Sequence, residues 1–294
     1  MSIVITTPTG KIGSRLTEIL LQAGKKVTLL ARHPENVARF AVMGATVKQG
    51  SLNDAGFVRE ATQGAKALFW LTPPNVEVAD FRAYQRELGR IAAEAIQKNG
   101  IAHVVHLSSL GAHLGSGAGP VNGLHDIEKI LDGVAANVTH LRPAAFYENI
   151  LGSLETMKQM GALFQAVSPA VRVPMIATRD IAEVAAKQLA DLSWSGRRVL
   201  TFFGPEDLSY GEIAAIISRE IRRPIEYVQV SPDQVRDALV GLGISADVAG
   251  QYVELAQAFD SGLLLKGLTT VPDWRTPTTF AQFARDTIVP ALGE

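Results

Sequence analysis

The sequence contains no cysteine. Disulfides, thiolate catalysis and cysteine-based metal sites are therefore excluded, although this absence alone does not fix the compartment. The chain also lacks any apolar run approaching the about 18 residues of a membrane helix, and it has no basic leader followed by an apolar segment. Neither a membrane span nor an export signal is expected, and we predict a cytoplasmic protein.

An excess of charge of either sign is also missing. The formal net charge is −1, from 28 basic and 29 acidic residues. Such a balance gives no field that would attract nucleic acid or an anionic membrane, so neither is expected as a partner. With 294 residues, of which 47% are hydrophobic, the chain can bury a large core in one or two domains.

Signatures of metal sites and hydrolases are absent as well. No His-Glu-x-x-His or similar zinc spacing occurs among the six histidines, so no metal site is predicted. His103, His106 and His140 fall in or beside predicted strands, where structural histidines are the commoner outcome. A Gly-x-Ser-x-Gly elbow around Ser116 fails because Leu114 stands where its first glycine is needed.

The most informative stretch is residues 2–30. It reads as a strand (residues 3–5), a glycine-spaced turn (6–13), an amphipathic helix and a second strand (27–30). This pattern is typical of a dinucleotide-binding βαβ unit, in which N–H groups at the helix start hold a pyrophosphate. The three glycine places of the fingerprint are Thr7, Gly10 and Gly13, so the first glycine is lost. The alternative is a structural turn without a ligand.

A P-loop is excluded at this turn, because Ile5 and Ile12 occupy its required glycine and Ser/Thr places. The end of the second strand indicates which dinucleotide binds. NAD-binding units carry an acidic residue there, whereas this chain has Arg32. A guanidinium can fork onto a 2′-phosphate, so NADP(H) is favoured, with NAD(H) as the alternative cofactor. Arg32 could instead be a solvated loop charge.

The next part of the chain continues the alternation of strands and helices. Apolar runs and stop signals predict helices at 34–43, 55–62, 80–98 and 124–131, and strands at 45–48, 67–71, 103–107 and 138–141. Asp54 is expected to cap a helix, and the turn at Ser51 and Leu52 to contact adenine. Six strands alternating with helices predict an α/β fold with a doubly wound parallel Rossmann sheet.

The rhythm changes after about residue 150. We predict helices at 149–160, 178–192, 209–221, 231–242, 245–264 and 276–288, and strands at 199–203 and 225–230. Residues 1–150 would form the NAD(P)-binding Rossmann domain. Residues 151–294 would form a smaller α/β lobe that holds the substrate and is interleaved with the first domain.

The best catalytic constellation is Ser108 or Ser109 with His125 and Lys129. It is similar to short-chain reductases, in which a Ser after the fifth strand and a Tyr-x-x-x-Lys helix line the nicotinamide pocket. His125 and Lys129 have the same i, i+4 spacing and share a helix face. Histidine would replace the tyrosine, with a pKa suited to proton exchange near neutrality. Alternatively, both are ordinary helix-surface residues.

Several motifs together resemble the NmrA-like branch of the atypical short-chain dehydrogenase/reductase superfamily. They span most of the chain and lie at residues 9–13, 30–32, 50–54, 125–131, 141–143, 146–149 and 177–182. The family includes NADPH-dependent quinone, azo-dye and triphenylmethane reductases, phenylpropanoid reductases, and nicotinamide-nucleotide sensors that bind transcription factors. This chain departs from its pattern at Thr7 and in lacking Tyr-x-x-x-Lys.

The motifs and the resemblance together predict the site. The catalytic residues would be Ser109, His125 and Lys129. The cofactor would contact Thr7, Thr9, Gly10, Lys11, Ile12, Gly13, Arg32, Ser51, Leu52, Leu71, Thr72, Pro73, Ser108, Lys129, Pro143 and Phe146.

Two functions follow as hypotheses. The first is an NAD(P)H-dependent oxidoreductase that transfers a hydride to a small hydrophobic, quinone-like or aromatic carbonyl or azo acceptor. The second is a non-catalytic NAD(P)-binding redox sensor that regulates a protein partner, and the missing tyrosine supports it. A lid over the substrate would use Phe146, Tyr147, Met157, Met160 and Phe164, unless these residues are core. The chain would act as a monomer or homodimer.

Overall fold

The computed structural model describes residues 2–268 and 272–293. Its strands are β1 (Ser2–Ile5), β2 (Lys26–Ala31), β3 (Thr46–Gln49), β4 (Ala65–Trp70), β5 (His103–Leu107), β6 (Asn137–Pro143), β7 (Ala145–Phe146), β8 (Ala162–Gln165), β9 (Val173–Ile176), β10 (Arg197–Phe203), β11 (Asp207–Leu208), β12 (Glu226–Gln229) and β13 (Trp274–Arg275).

The α-helices are α1 (Lys11–Gln22), α2 (Ala38–Val42), α3 (Ala55–Ala61), α4 (Phe81–Asn99), α5 (Val121–Asp132), α6 (Leu154–Met160), α7 (Thr178–Ala190), α8 (Tyr210–Ile221), α9 (Pro232–Gly241), α10 (Ala246–Asp260), α11 (Phe280–Phe283) and α12 (Val289–Leu292). Short 3₁₀ segments cover Pro34–Val37, Tyr147–Ser153 and Leu263–Leu265, and a π-helical turn covers Ala284–Ile288.

One parallel sheet organises the molecule. In the described residues it has eight strands, in the order β13-β10-β6-β5-β4-β1-β2-β3. The chain runs outward from β1 to β3 on one side and from β4 to β6 on the other, so the order reverses between β1 and β4. The predicted doubly wound parallel fold is confirmed. Ligands of such sheets bind in the crevice where the order reverses.

Both faces of the sheet are covered at its centre, which explains the apolar runs in β1 and β4. Ile3 and Ile5 pack on one face with Leu16 of α1, while Val4 faces the opposite side and packs in a cluster with Leu88 of α4. Successive side chains of β1 therefore pack in two separate cores, one on each face of the sheet. This arrangement fixes α1 against the sheet and aims its first residue at the carboxyl edge.

The second half contributes to the main sheet and also forms a core of its own. β10 and β13 join the large sheet, and α7 packs on α1. A separate core contains Tyr147 and Met157, both fully buried, with α8 and the C-terminal helices. Two of the five suggested lid residues are thus core residues. The domain division at residue 150 stays a prediction.

Some predicted element boundaries in the second half are wrong. The helix predicted from Thr276 begins at Phe280, because Thr279 caps it: its hydroxyl accepts a hydrogen bond from the Gln282 N–H. The helix predicted to reach Leu264 ends at Asp260, two residues before Gly262, whose φ is +69°. The four-residue strands β8 and β9 were not predicted. No described helix is long and apolar enough to cross a membrane, and the cytoplasmic location stays a prediction.

Candidate functional site

Thr6 joins the ends of β1 and β4 where the strand order reverses. Its N–H donates to the Phe69 carbonyl at 3.2 Å, and its Oγ1 accepts from the Leu71 N–H at 2.9 Å. The side chain is fully buried. Sequence reasoning missed this residue. The strand order reverses at this point, and the segments that follow β1 and β4 line a crevice above the carboxyl edge of the sheet.

The crevice is a cleft of about 760 Å³. Its walls come from the turn after β1, the end of β2, the turn after β3 and the segment after β4, with further contributions from α4, the β7 region and the start of α7. The lining residues are Thr7–Ile12, Leu30–His33, Asn36, Gly50–Asn53, Leu71, Pro73–Asn75, Glu77, Tyr84, Phe146, Glu148 and Thr178.

The start of α1 lines this cleft. Among the described residues no side chain caps its N-terminus, and its first turn holds no acidic residue. Lys11, the first helical residue, lines the cleft. Free N–H groups, the positive end of the helix dipole and a lysine together favour an anion. A phosphate group of a dinucleotide fits this position.

Gly13 lets the turn approach the helix closely. A Cβ added to Gly13 would lie 2.2 Å from the Thr7 carbonyl oxygen, whereas one added to Gly10 would lie 3.5 Å from it. Gly10 itself has an ordinary extended backbone, with φ −75°. The third glycine place is therefore required by packing, while the second leaves room for a side chain against the protein.

Thr7, in the first glycine place, adopts a backbone that normally favours glycine. Its φ is +50°, a left-handed conformation that is unusual for a β-branched residue. Its Oγ1 is buried and finds no hydrogen-bond partner among the described residues. The turn thus keeps the geometry of the glycine pattern and stores strain at this residue.

Arg32, which follows β2, and Tyr84, on α4, both line the cleft. Arg32 is exposed, as a residue that reads a solvent-facing phosphate would be. The Tyr84 hydroxyl donates to the Pro73 carbonyl at 3.3 Å. Burial raises the pKa of Tyr84, and the positive charge of Arg32 partly opposes that rise. Sequence reasoning did not assign Tyr84 to the site.

Glu148 lies on the wall formed by the β7 region and α7, and sequence reasoning did not assign it to the site. The Thr178 N–H donates to both of its carboxylate oxygens, at 3.1 and 3.0 Å, and the Thr178 hydroxyl donates to Oε1 at 2.5 Å. Burial raises the pKa of Glu148, and the Thr178 hydroxyl and nearby Lys11 lower it, with a net rise.

Eleven of the sixteen predicted cofactor residues line the cleft. The other five do not: Gly13 packs beneath the turn, Thr72 accepts a hydrogen bond from the Trp70 indole at 3.2 Å, and Pro143 is buried in β6. Ser108 is buried and Lys129 is exposed on α5. Asp54 does cap α3, accepting from the Phe57 N–H at 3.0 Å. The contacts to a cofactor stay predictions.

Ser108 belongs to a buried ionic network away from the cleft lining. Its hydroxyl donates to Glu128 Oε1 at 2.5 Å, and Arg142 donates to the two oxygens of Glu128 at 2.9 and 2.5 Å. Burial raises the pKa of Glu128. Arg142 and the Ser108 hydroxyl lower it by more than burial raises it, so the net shift is downward. Glu128 therefore stays ionised and joins α5 to the ends of β5 and β6.

His125 holds the glycine-rich loop that follows β5. Its Nδ1 lies 2.6 Å from the Ala112 carbonyl oxygen, which requires the proton on Nδ1. Its Nε2 lies beside Gly115, where a Cβ would be 3.2 Å away. Neither His125 nor Lys129 lines the cleft, and Ser109 is half-buried at the start of the loop. The catalytic role of these three residues stays a prediction.

His106 and His140 form a structural pair within the sheet. Their Nδ1 atoms lie 3.1 Å apart, and His140 Nε2 lies 3.2 Å from Asp132 Oδ1. Burial lowers the pKa of His106 to about 3, and the neighbouring His140 adds to the effect. His106 is therefore neutral at physiological pH, as expected for a core histidine.

Comparison with known proteins gives a family match over most of the chain. Residues 1–272 match the model of the NmrA-like family. An NAD(P)H azoreductase of Xenophilus azovorans is 26% identical over 285 residues, with 96% of each chain covered. A (4-alkanoyl-5-oxo-2,5-dihydrofuran-3-yl)methyl phosphate reductase of Streptomyces griseus is 27% identical over 274 residues, with 92% of each covered.

Solved structures share the fold. An NADPH-dependent quinone oxidoreductase of Escherichia coli in complex with NADPH has a TM-score of 0.75 at 21% identity, over 97% of this chain and 99% of that one. The triphenylmethane reductase of Citrobacter sp. in complex with NADP(H) has a TM-score of 0.80 at 17% identity, with the same coverage.

Proposed function

The chain belongs to the NmrA-like family, and on that premise we propose that it transfers a hydride from NADPH to a small hydrophobic acceptor. It is an NAD(P)H-dependent oxidoreductase of the azoreductase and quinone reductase type. The NADPH and NADP(H) complexes of two structural neighbours support the predicted cofactor. The acceptor we propose is a quinone, or an aromatic carbonyl or azo compound.

The observation that carries the proposal is the cleft above β1 and β4. The uncapped start of α1, with Lys11, offers N–H groups and positive charge for a pyrophosphate. Arg32 lines the side beyond β2, where the 2′-phosphate of NADPH would lie. Leu71, Pro73 and Phe146 give the cleft an apolar wall. These residues fit the cofactor and would exclude water from the reacting ring.

The chemistry needs one hydride and one proton. When bound, NADPH supplies the hydride, with loss of its C4–H bond and release of NADP⁺. The reduced quinone takes its proton from water, so no acidic side chain has to reach it. This suits the cleft, because His125 and Ser108 make their hydrogen bonds elsewhere. A ketone or aldehyde would depend more on a protein proton donor.

The second function, a redox sensor, is supported by the same placement. None of Ser109, His125 and Lys129 lines the cleft, so the cleft could bind the dinucleotide without turning it over. A sensor would bind NADPH with no acceptor-dependent consumption.

A panel of acceptors separates the two functions. NADPH would be mixed with the protein and with quinones, azo dyes and aromatic aldehydes in turn, and its absorbance followed under anaerobic conditions. The oxidoreductase predicts protein-dependent NADPH loss with quinones or azo dyes, in one-to-one proportion to reduced quinone. If the protein binds NADPH but consumes it with no acceptor of the panel, the proposal is contradicted and the sensor is favoured.

A further inference from the structure

The orientation of a dinucleotide in the cleft determines which part of it would lie near Glu148. In doubly wound sheets the pyrophosphate lies at the start of the first helix and the adenosine beyond the second strand. The other nucleotide then lies over the half of the sheet that contains β4 to β6. Glu148 and Phe146 follow β6 closely and line the cleft on that side, so the nicotinamide end of the dinucleotide would lie beside them.

The carboxylate of Glu148 is held in one place. Both oxygens accept hydrogen bonds from the Thr178 N–H, and Oε1 also accepts from the Thr178 hydroxyl. Thr178 begins α7, a helix of 13 residues whose N-cap, Ala177, offers no side-chain hydrogen bond. Glu148 therefore caps this helix from a distant part of the chain.

Three features favour the ionised form of this carboxylate. It accepts hydrogen bonds at both oxygens, it lies at the positive end of the α7 dipole, and the positive charge of Lys11 acts on it. Burial opposes these effects, and the net shift of its pKa is upward. Because both oxygens accept hydrogen bonds from Thr178, the geometry is that of a carboxylate, held on one side of the cleft with Lys11 at the helix start.

We propose that Glu148 makes bound NADPH a stronger hydride donor by favouring the oxidised cofactor. The nicotinamide ring is neutral when reduced and positively charged when oxidised, so a nearby carboxylate stabilises NADP⁺ more than NADPH. The inference rests on the proposed function, since it needs the dinucleotide in this cleft. A tenfold tighter binding of NADP⁺ relative to NADPH would lower the reduction potential of the bound two-electron couple by about 30 mV.

The test is the ratio of two dissociation constants, Kd for NADP⁺ divided by Kd for NADPH, measured by calorimetric titration. Glu148→Gln removes the charge and retains an oxygen that can accept from Thr178. We expect the ratio to rise about tenfold, the scale of a partly screened charge. Glu155→Gln is the matched control, because it makes the same change in net charge at an exposed position of α6; its ratio should stay within twofold of wild type.

Lys11→Met gives an independent measurement at an exposed residue, and it remains informative if Glu148→Gln does not fold. Loss of the positive charge should lower the ratio several-fold, although both constants would increase. A merely structural role of Glu148 would change both constants by the same factor. An unchanged ratio in Glu148→Gln, or a rise in Lys11→Met, overturns the inference; failure of wild type to bind either dinucleotide would instead overturn the proposed function.

Discussion

Gly13→Ala is the sharpest structural test of the turn. The added Cβ would lie 2.2 Å from the Thr7 carbonyl oxygen, 2.9 Å from the Thr7 carbonyl carbon and 3.1 Å from Pro8 Cα. All three atoms are backbone, so a side-chain rotation cannot relieve the overlap. The turn or the start of α1 must move by about 1 Å, and overpacking of this kind costs about 1 to 3 kcal/mol.

The displaced atoms are those that would hold the pyrophosphate. We therefore expect Gly13→Ala to lose about 2 kcal/mol of stability in urea unfolding and to bind NADPH at least about tenfold more weakly, as a 1 Å misplacement allows. Gly13→Val should abolish binding. Gly10→Ala is the control for stability, because its Cβ meets nothing closer than 3.5 Å. A Gly13→Ala protein with wild-type stability and affinity would show that the turn tolerates a side chain at this position.

Three further predictions concern other residues. Burial lowers the pKa of His106 to about 3 in the folded protein, against about 6.5 in the unfolded chain, so the unfolded chain takes up a proton first as pH falls. The free energy of unfolding should therefore drop by about 2 kcal/mol at pH 5. In His106→Leu, a plot of Tm against pH should be flatter than in wild type. Parallel plots would contradict this. Thr7→Gly should relieve about 1 to 2 kcal/mol of left-handed strain, partly offset by chain entropy, and raise Tm by a few degrees; a lower Tm would show that the strain is absent. His125→Phe should cut turnover of an aromatic aldehyde by about 10²- to 10⁴-fold if His125 is the proton donor, and Lys129→Met should raise the cofactor Kd; changes under about threefold in both would leave them as loop anchor and helix surface.

Local sequence signals predicted the first half of the fold well. The apolar β1, the turn to Gly13 and the face of α1 all lie within about twenty residues of one another, and periodicity reports such short-range structure directly. Asp54 was readable as a cap because a cap bonds to a residue three positions ahead. The capping box of Thr279 and Gln282 was equally readable and would have placed the start of α11 correctly.

The parts of the site that depend on long-range contacts could not be predicted from the sequence. Glu148 accepts a hydrogen bond from Thr178, which lies 30 positions away in the sequence. No local sequence pattern predicts that a carboxylate will cap a distant helix. His125 has the predicted helix spacing, yet its ring is fixed by the Ala112 carbonyl in the preceding loop. Spacing on a helix defines which residues share a face, but the packing of neighbouring loops decides what that face contacts.

A titration with two dinucleotides decides whether NADPH binds in the cleft above β1 and β4. NADPH and NADH would each be titrated into wild type and Arg32→Asp. We expect Arg32→Asp to lose about 1 to 3 kcal/mol of NADPH binding free energy, the scale of hydrogen bonds to charged groups, while NADH binding is unchanged or improved. Equal losses for both dinucleotides, or no loss for NADPH, would contradict it.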